Sequence, residues 1–186
     1  MDMFHRSDRL LLRPVFEEDW LEIYEAINDE GVVRMLASAP WPYREEDARE
    51  FVARPIDPAF PCLLVTLPES LGSPVIGCIG IEPHDGRIEL GYWIARPFWG
   101  RGYATEAGRA VINLARILGH HTLHAGHAID NPASGNVLRK LGFRPTGEVR
   151  SQFSKGRGVE TPTARYVNEI AMAACMSTPS DMQQAA

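Results

Sequence analysis

The spacing of apolar side chains divides this chain into short strands and a few amphipathic helices. Residues 10–13 make a short strand that Pro14 helps to end. Residues 17–26 follow as a helix, with Trp20, Ile23 and Tyr24 at helical spacing. A loop over 37–43 holds Pro40, Trp41, Pro42 and Tyr43, which interrupt any helix; residues 45–53 resume one, and Pro55 ends it. Two strands, 62–67 and 74–81, flank a glycine-containing turn at 68–73. Residues 88–94 form a third, with Ile88, Leu90, Tyr92 and Ile94 on one face and Glu89, Gly91 and Trp93 on the other. A long helix begins at Gly102 or Tyr103, carries Ala104, Ala107, Val111, Leu114 and Leu118 as one apolar stripe, and stops at Gly119. Beyond it come a strand at 121–127 and a helix at 131–141, with Pro132 in its first turn and Gly142 just past its end. A late hairpin pairs 143–153 with 164–171 around a glycine-rich loop at 155–159. This order predicts an α+β fold, an α/β sandwich with a mixed sheet flanked by helices. One domain is expected over residues 8–173, with a loose tail at 174–186 where periodicity fades.

Composition narrows the functional classes. With 19 Lys and Arg against 24 Asp and Glu, the formal charge is -5 and no long basic run exists, so a nucleic-acid partner is not expected. An acidic balance suits a cationic or amine substrate, though weakly. No apolar run reaches the ~18 residues of a membrane span, and the first residues carry charges rather than a leader's apolar stretch. A cytoplasmic protein without a membrane partner is expected. The three cysteines form no CxxC pair, so neither a zinc site nor a disulfide scaffold is indicated, and Cys62 and Cys78 are expected to pack in the core. The histidines show no metal spacing.

The most informative stretch runs from Trp93 to Glu106, where a strand stops and Gly100 and Gly102 bracket Arg101 before the long helix. Two glycines allow a sharp turn and leave no Cβ in the way of a ligand. Amides at the turn and helix start can then hold a phosphate, favoured by the helix dipole. A turn that simply opens a helix accounts for the same spacing. The Walker pattern GxxxxGK[ST] is absent, and GxGxxG fails because Gly102 is followed three residues later by Thr105.

The segment Trp99-Gly100-Arg101-Gly102-Tyr103-Ala104-Thr105-Glu106-Ala107 resembles the coenzyme A loop of the GNAT superfamily of N-acetyltransferases, whose general form is Q/R-x-x-G-x-G/A. It departs at Trp99 and in doing so is similar to the branch of ribosomal-protein N-terminal acetyltransferases, whose loops often read W-G-x-G-Y-A-T-E-A. The stretch Asn131 to Phe143 resembles the second family signature, N-x-x-S-x-x-v-l-x-K-x-G-F. That helix also has a purely structural account: Asn131 caps it, Val137, Leu138 and Leu141 pack it, and Gly142 ends it. The resemblance implies a GNAT-like acyl-CoA N-acyltransferase fold, with a largely antiparallel, splayed central sheet, and acetyl-CoA (coenzyme A) as cofactor. It implies that Arg101, Gly102, Tyr103, Ala104 and Thr105 meet the pyrophosphate, and that Ile94 and Ala95 meet the pantetheine arm and the acetyl carbonyl. It further places Asn131 on the pantetheine, Ser134 near the sulfur and Asn136 beside them, with Arg139 or Lys140 at the phosphate end.

Amine acetylation needs a neutral amine, a polarised thioester and a protonated leaving thiolate. An amine with a pKa near ~10.4 must give up its proton at neutral pH, and Glu89 is the expected base, with a solvated or paired strand residue as the alternative. A backbone amide near Ile94 is expected to stabilise the oxyanion. The second helix has no Tyr between Gly135 and Lys140, so by resemblance to the ribosomal-protein branch Ser134 is the expected acid. The expected partner is an amine acceptor, first a protein N-terminus and next a small molecule such as an antibiotic or metabolite, on a monomer or homodimer, with a non-catalytic coenzyme A-binding protein as the alternative. Trp41, Pro42 and Tyr43 are expected to wall the acceptor on one side. Residues 150–157, a mobile lip, wall the other, and Glu82, His84 and Asp85 charge the rim.

Overall fold

A computed structural model describes residues 4–68 and 73–170. The expected tail, Cys175, positions 69–72 of the turn and position 171 of the last strand lie outside the described residues. Eight strands form one sheet: β1 (His5–Arg6), β2 (Leu11–Pro14), β3 (Cys62–Thr66), β4 (Val75–His84), β5 (Arg87–Ile94), β6 (Thr122–Ala128), β7 (Arg144–Ser154) and β8 (Val159–Glu169). Their spatial order is β1-β2-β3-β4-β5-β6-β8-β7. All pairings are antiparallel except β5 with β6. The helices are α1 (Trp20–Ile27), α2 (Glu30–Val33), α3 (Glu45–Val52), α4 (Tyr103–Ile117) and α5 (Pro132–Lys140). The α+β sandwich read from the sequence is therefore the observed fold.

β4 and β5 join through Asp85 and Gly86, both at positive φ (48° and 71°), with His84 opposite Arg87. That two-residue turn matches the right-handed twist of its strands, so the register is set locally. The parallel β5–β6 pair is different. Its crossover carries α4, and the two strands bridge at Glu89–His124 alone among the described residues. Beyond that point they diverge, which splays the sheet at its centre.

The two faces of β5 divide the core as period-2 alternation requires. Leu90 and Ile94 are buried in the main cluster with Leu10, Leu12, Val111, Leu123 and Leu138, and Tyr92 packs beside them. Trp93 packs on the opposite side, against Ile27 of α1 and Tyr43 of the loop before α3, and against Val15, Ile23 and Cys78. Helix α4 buries Ala107 and Val111 as expected, while Leu118 falls just past its end. Gly108 has a packing reason: a Cβ there would lie 2.5 Å from Leu141 Cδ1, so the glycine lets the segment after α5 close onto α4.

Several stretches differ from the expected pattern, β1 among them. The first helix splits into a 3₁₀ turn at Glu17–Asp19 followed by α1, because the Asp19 carboxylate accepts from the Phe16 amide and pairs with Arg13. Helix α2 is additional, and the Asp29 side chain caps it by accepting from the Val32 amide at 3.1 Å. β8 begins at Val159, five residues earlier than expected, because its inward positions there are the polar but buried Thr161 and Thr163. Apolar alternation cannot reveal such a strand. No helix among the described residues is long and apolar enough to cross a membrane.

Candidate active site

β5 ends at Ile94, and the backbone then makes a 3₁₀ turn at Arg96–Phe98. The Ala95 amide donates to Ile76 O at 2.8 Å, and the Trp99 indole donates to Ile94 O at 2.5 Å. Trp99, the departure from the general loop pattern, therefore ties the turn back to the strand end. Gly100 and Gly102 have φ of 75° and 82°, left-handed values that cost a residue with a Cβ roughly 1–2 kcal/mol. Gly102 caps α4 with no side-chain hydrogen bond, so no side chain at the cap claims the first-turn amides. That arrangement fits an anion, because these donors and the positive end of the helix dipole point the same way.

The turn between β1 and β2 buttresses the glycine turn. Arg9 donates from Nη1 to Arg101 O (3.0 Å) and from Nε to Glu106 Oε2 (2.7 Å), and its guanidinium lies 4.7 Å from the Tyr103 ring centroid. The Ser7 hydroxyl and the Arg9 amide both donate to Glu106 Oε1. Burial pushes the Glu106 carboxyl up, but these hydrogen bonds and the Arg9 charge together hold it below its ordinary value. Glu106 thus anchors the helix start to the sheet edge.

A cavity of about 1160 Å³ opens beside the turn and extends across the sheet. Of the residues singled out from the sequence, Glu89, Ile94, Gly102, Tyr103, Ala104, Thr105, Asn131, Ser134 and Asn136 line it. Three do not. Ala95 has its amide committed to β4, Arg101 stacks its guanidinium 5.6 Å from the Phe98 ring, and Arg139 is held by Tyr166 and Asn136. Arg139 donates from Nη1 to the Tyr166 hydroxyl (3.1 Å) and from Nη2 to Asn136 Oδ1 (2.6 Å). Lys140, the alternative cation, lines the cavity instead.

Asn131 caps α5 by accepting from the Ser134 amide at 3.2 Å, which fixes the serine in the first turn. The Ser134 hydroxyl is then 2.8 Å from the Tyr92 hydroxyl of β5. Burial pushes the Tyr92 phenol up to about 12, against a smaller downward pull from Ser134, so Tyr92 is a neutral O–H group at physiological pH. On the other face of β5, Glu89 forms an ion pair with Arg165 of β8, whose side chains are 15% and 9% exposed. Burial and the nearby Arg87 charge push the Arg165 guanidinium down. Gly126 makes room for it, since a Cβ there would lie 2.9 Å from Arg165 Nη1. His127 Nδ1 must carry a proton, because it contacts the Ala128 carbonyl at 2.8 Å; Nε2 can then accept from the Tyr166 hydroxyl at 3.3 Å.

Tyr92, Arg165, His127 and Tyr166 escaped the sequence reading. Alternation placed Tyr92 on the apolar face and marked it as core, and Arg165 lies 76 residues from Glu89. Only the sheet order brings them in.

The far lobe of the cavity is lined by Tyr43, Phe51, Trp93, Cys62 and Cys78, with Asp47, Glu50, Arg54 and Glu82 among its charges. Tyr43 is in the expected wall, but Trp41 and Pro42 do not line the cavity. Glu82 lines it, whereas His84 and Asp85 sit at the β4–β5 turn. The expected mobile lip is instead tied down: Lys155 N donates to Ala37 O, Arg157 bonds Arg34 O and both Asp130 oxygens, and a Cβ on Gly156 would lie 2.7 Å from Val33 O. Among the described residues no group of three or more His, Cys, Asp or Glu side chains is placed to hold a metal.

A splayed sheet, an anion-ready glycine turn at the end of one splayed strand and a cavity lined by a carboxylate and a half-buried hydroxyl pair define an acyl-transfer scaffold. The acetyltransferase (GNAT) domain family matches residues 9–144, and the chain belongs to that family of acetyltransferase enzymes. An uncharacterised N-acetyltransferase p20 of Bacillus licheniformis is 33% identical over 91 residues, spanning 46% of this chain and 51% of that protein. The chain thus matches about half the length of that relative. The solved GNAT-family acetyltransferase of Bacillus anthracis superposes with a TM-score of 0.76 at 23% identity, covering 90% of this chain and 98% of its own. RimL, a ribosomal-protein α-N-acetyltransferase solved with coenzyme A, superposes with a TM-score of 0.74 at 18% identity, covering 90% and 98%.

Proposed function

We propose that this enzyme transfers acetyl from acetyl-CoA to a primary amine by direct attack in a ternary complex, with a protein N-terminal α-amine as the first acceptor class. The observation that carries the reading is that one cavity holds the glycine turn, Ser134 and Glu89 together. Acetyl-CoA supplies an activated acyl group, so the chain needs no covalent intermediate of its own. The amides of Gly102, Tyr103, Ala104 and Thr105 bind its phosphates at the start of α4, and Arg101 adds positive charge at the rim. Ile94 flanks the acyl arm, a backbone amide near it meets the developing oxyanion, and Asn131, Asn136 and Lys140 line the other side. Glu89 accepts the proton of the incoming ammonium while Arg165 fixes its position. Ser134, oriented by Tyr92, presents its O–H to the departing sulfur.

The N-terminal acceptor is supported by the W-G-x-G-Y-A-T-E-A form of the loop, which Trp99 to Ala107 carries in full. A small polyamine is the second reading, favoured by the acidic side chains Asp47, Glu50 and Glu82 in the far lobe. The spermidine N-acetyltransferase of Vibrio cholerae, solved with CoA and spermine, shares the fold at a TM-score of 0.71 and 20% identity. The deciding experiment measures thiol release from acetyl-CoA against N-terminal peptides, polyamines and aminoglycosides. Turnover on peptides supports the first reading and turnover on polyamines the second. Tight CoA binding without turnover on any of them argues against both.

A further inference from the structure

Two sulfurs in the far lobe meet in a way that core packing does not require. Cys62 pairs with Gly80 across the β3–β4 ladder and Leu64 pairs with Cys78, so the two cysteines lie diagonally on one face of adjacent strands. Their Sγ atoms are 3.3 Å apart. Gly80, directly opposite Cys62, contributes no side chain between them, and a Cβ there would crowd Cys62 Cα at 3.0 Å. Cys78 is buried, whereas Cys62 is only partly so, and both line the cavity. Both pack in the core as expected, Cys62 from a partly buried position that leaves it open to the cavity.

We propose that Cys62 and Cys78 are a redox-active dithiol site in the cavity wall, oxidised by a hydroperoxide to a reversible intramolecular disulfide. A disulfide needs sulfurs about 2.05 Å apart, so closure asks for an approach of roughly 1.2 Å, which side-chain rotation and a small strand adjustment can share. The two thiols are not equivalent. The hydrogen bond from Cys78 holds the Cys62 thiol below its ordinary value, and the same bond together with burial pushes Cys78 up. Cys62, the more exposed of the two and the one the hydrogen bond favours as an anion, is the attacking sulfur, and the buried Cys78 is the resolving thiol. In the first step the Cys62 sulfur attacks the peroxide oxygen, the O–O bond breaks, and the leaving alkoxide or hydroxide takes up a proton, leaving a sulfenic acid on Cys62. In the second step the Cys78 sulfur attacks the Cys62 sulfur and the S–O bond breaks. Hydroxide departs as water with the Cys78 proton. Two electrons pass from the sulfurs to the peroxide, and a small thiol reverses the bond by exchange.

The test uses the full chain and does not depend on acetyl transfer, so its failure is separable from failure of the acceptor assignment. The native protein is treated with hydrogen peroxide, quenched by alkylation and mapped by mass spectrometry. The expected result is joint loss of two of the three cysteine thiols, one peptide linked through positions 62 and 78, and recovery of both thiols with dithiothreitol. Cys62→Ser should abolish the linked peptide and leave Cys78 open to alkylation. Cys78→Ser should let Cys62 react but carry it on to sulfinic acid without a link. Sulfinic acid on Cys62 of the unsubstituted protein with Cys78 still alkylatable would overturn the proposal, as would a link from either residue to Cys175 or to another chain.

Discussion

Glu89 is either a proton acceptor or one half of a structural ion pair, and its partner Arg165 makes the two roles separable. Both side chains are largely buried, at 15% and 9% exposure, and Arg87 lies close enough to disfavour the Arg165 charge. Glu89→Gln keeps an oxygen for Arg165 but removes the compensating charge. Breaking a buried pair in this way costs about 3–5 kcal/mol, whereas replacing both partners by groups of similar shape is close to neutral. The double variant Glu89→Met with Arg165→Met, two apolar groups of similar length, should therefore recover most of the stability lost in the single variant. If Glu89 is the base, turnover should stay ~10²–10⁴-fold down in both variants, because neither has a group to take the ammonium proton. Stability is read from urea unfolding followed by tryptophan fluorescence, and turnover from thiol release with the acceptor found in the panel. A double variant that regains both stability and turnover would refute the base assignment and leave Glu89 a structural partner. A single variant destabilised by less than about 1 kcal/mol would place the pair with solvent-screened surface pairs and refute the burial argument.

Three further outcomes are expected. Gly102→Ala meets only ordinary contact, Arg9 Nη2 at 3.6 Å, so its cost should be the roughly 1–2 kcal/mol of a left-handed backbone, accompanied by weaker acetyl-CoA binding in calorimetry. Unchanged affinity would show that the turn only opens the helix. Glu106 has its folded value below the ordinary one, so it contributes stability that is present above the unfolded value near ~4.3 and lost as pH falls through the folded value. Glu106→Gln should be less stable than the natural chain at neutral pH, and a urea-midpoint series should show that gap closing as pH falls below the unfolded value of about 4.3. Ser134→Ala and Tyr92→Phe should each lower kcat more than stability, and a loss of stability alone would mean that their 2.8 Å contact is only packing.

Much of this protein could be read along the chain. The strand–turn–helix of residues 88–117 is local: alternation defines the faces of β5, two glycines define the turn, and the apolar stripe defines α4. The cap and stop of α5 are equally local, because Asn131 and Gly142 act within a turn of the helix they bound. Those stretches carry the resemblance that named the chemistry. What the chain order hides is who faces whom across the sheet. β8 inserts between β6 and β7, and this brings Arg165 to Glu89 and Tyr166 to His127 and Arg139. No sequence period encodes such a contact, and Thr161 and Thr163 hid the start of the strand that makes it. The β3–β4 register likewise turned two separate apolar cysteines into one dithiol. Local propensity and hydrophobic period thus determined the elements and the ligand loop. The partners of the ionisable groups, and with them the chemistry open to Glu89, Ser134 and Cys62, depended on non-local strand pairing, which only the folded sheet decides.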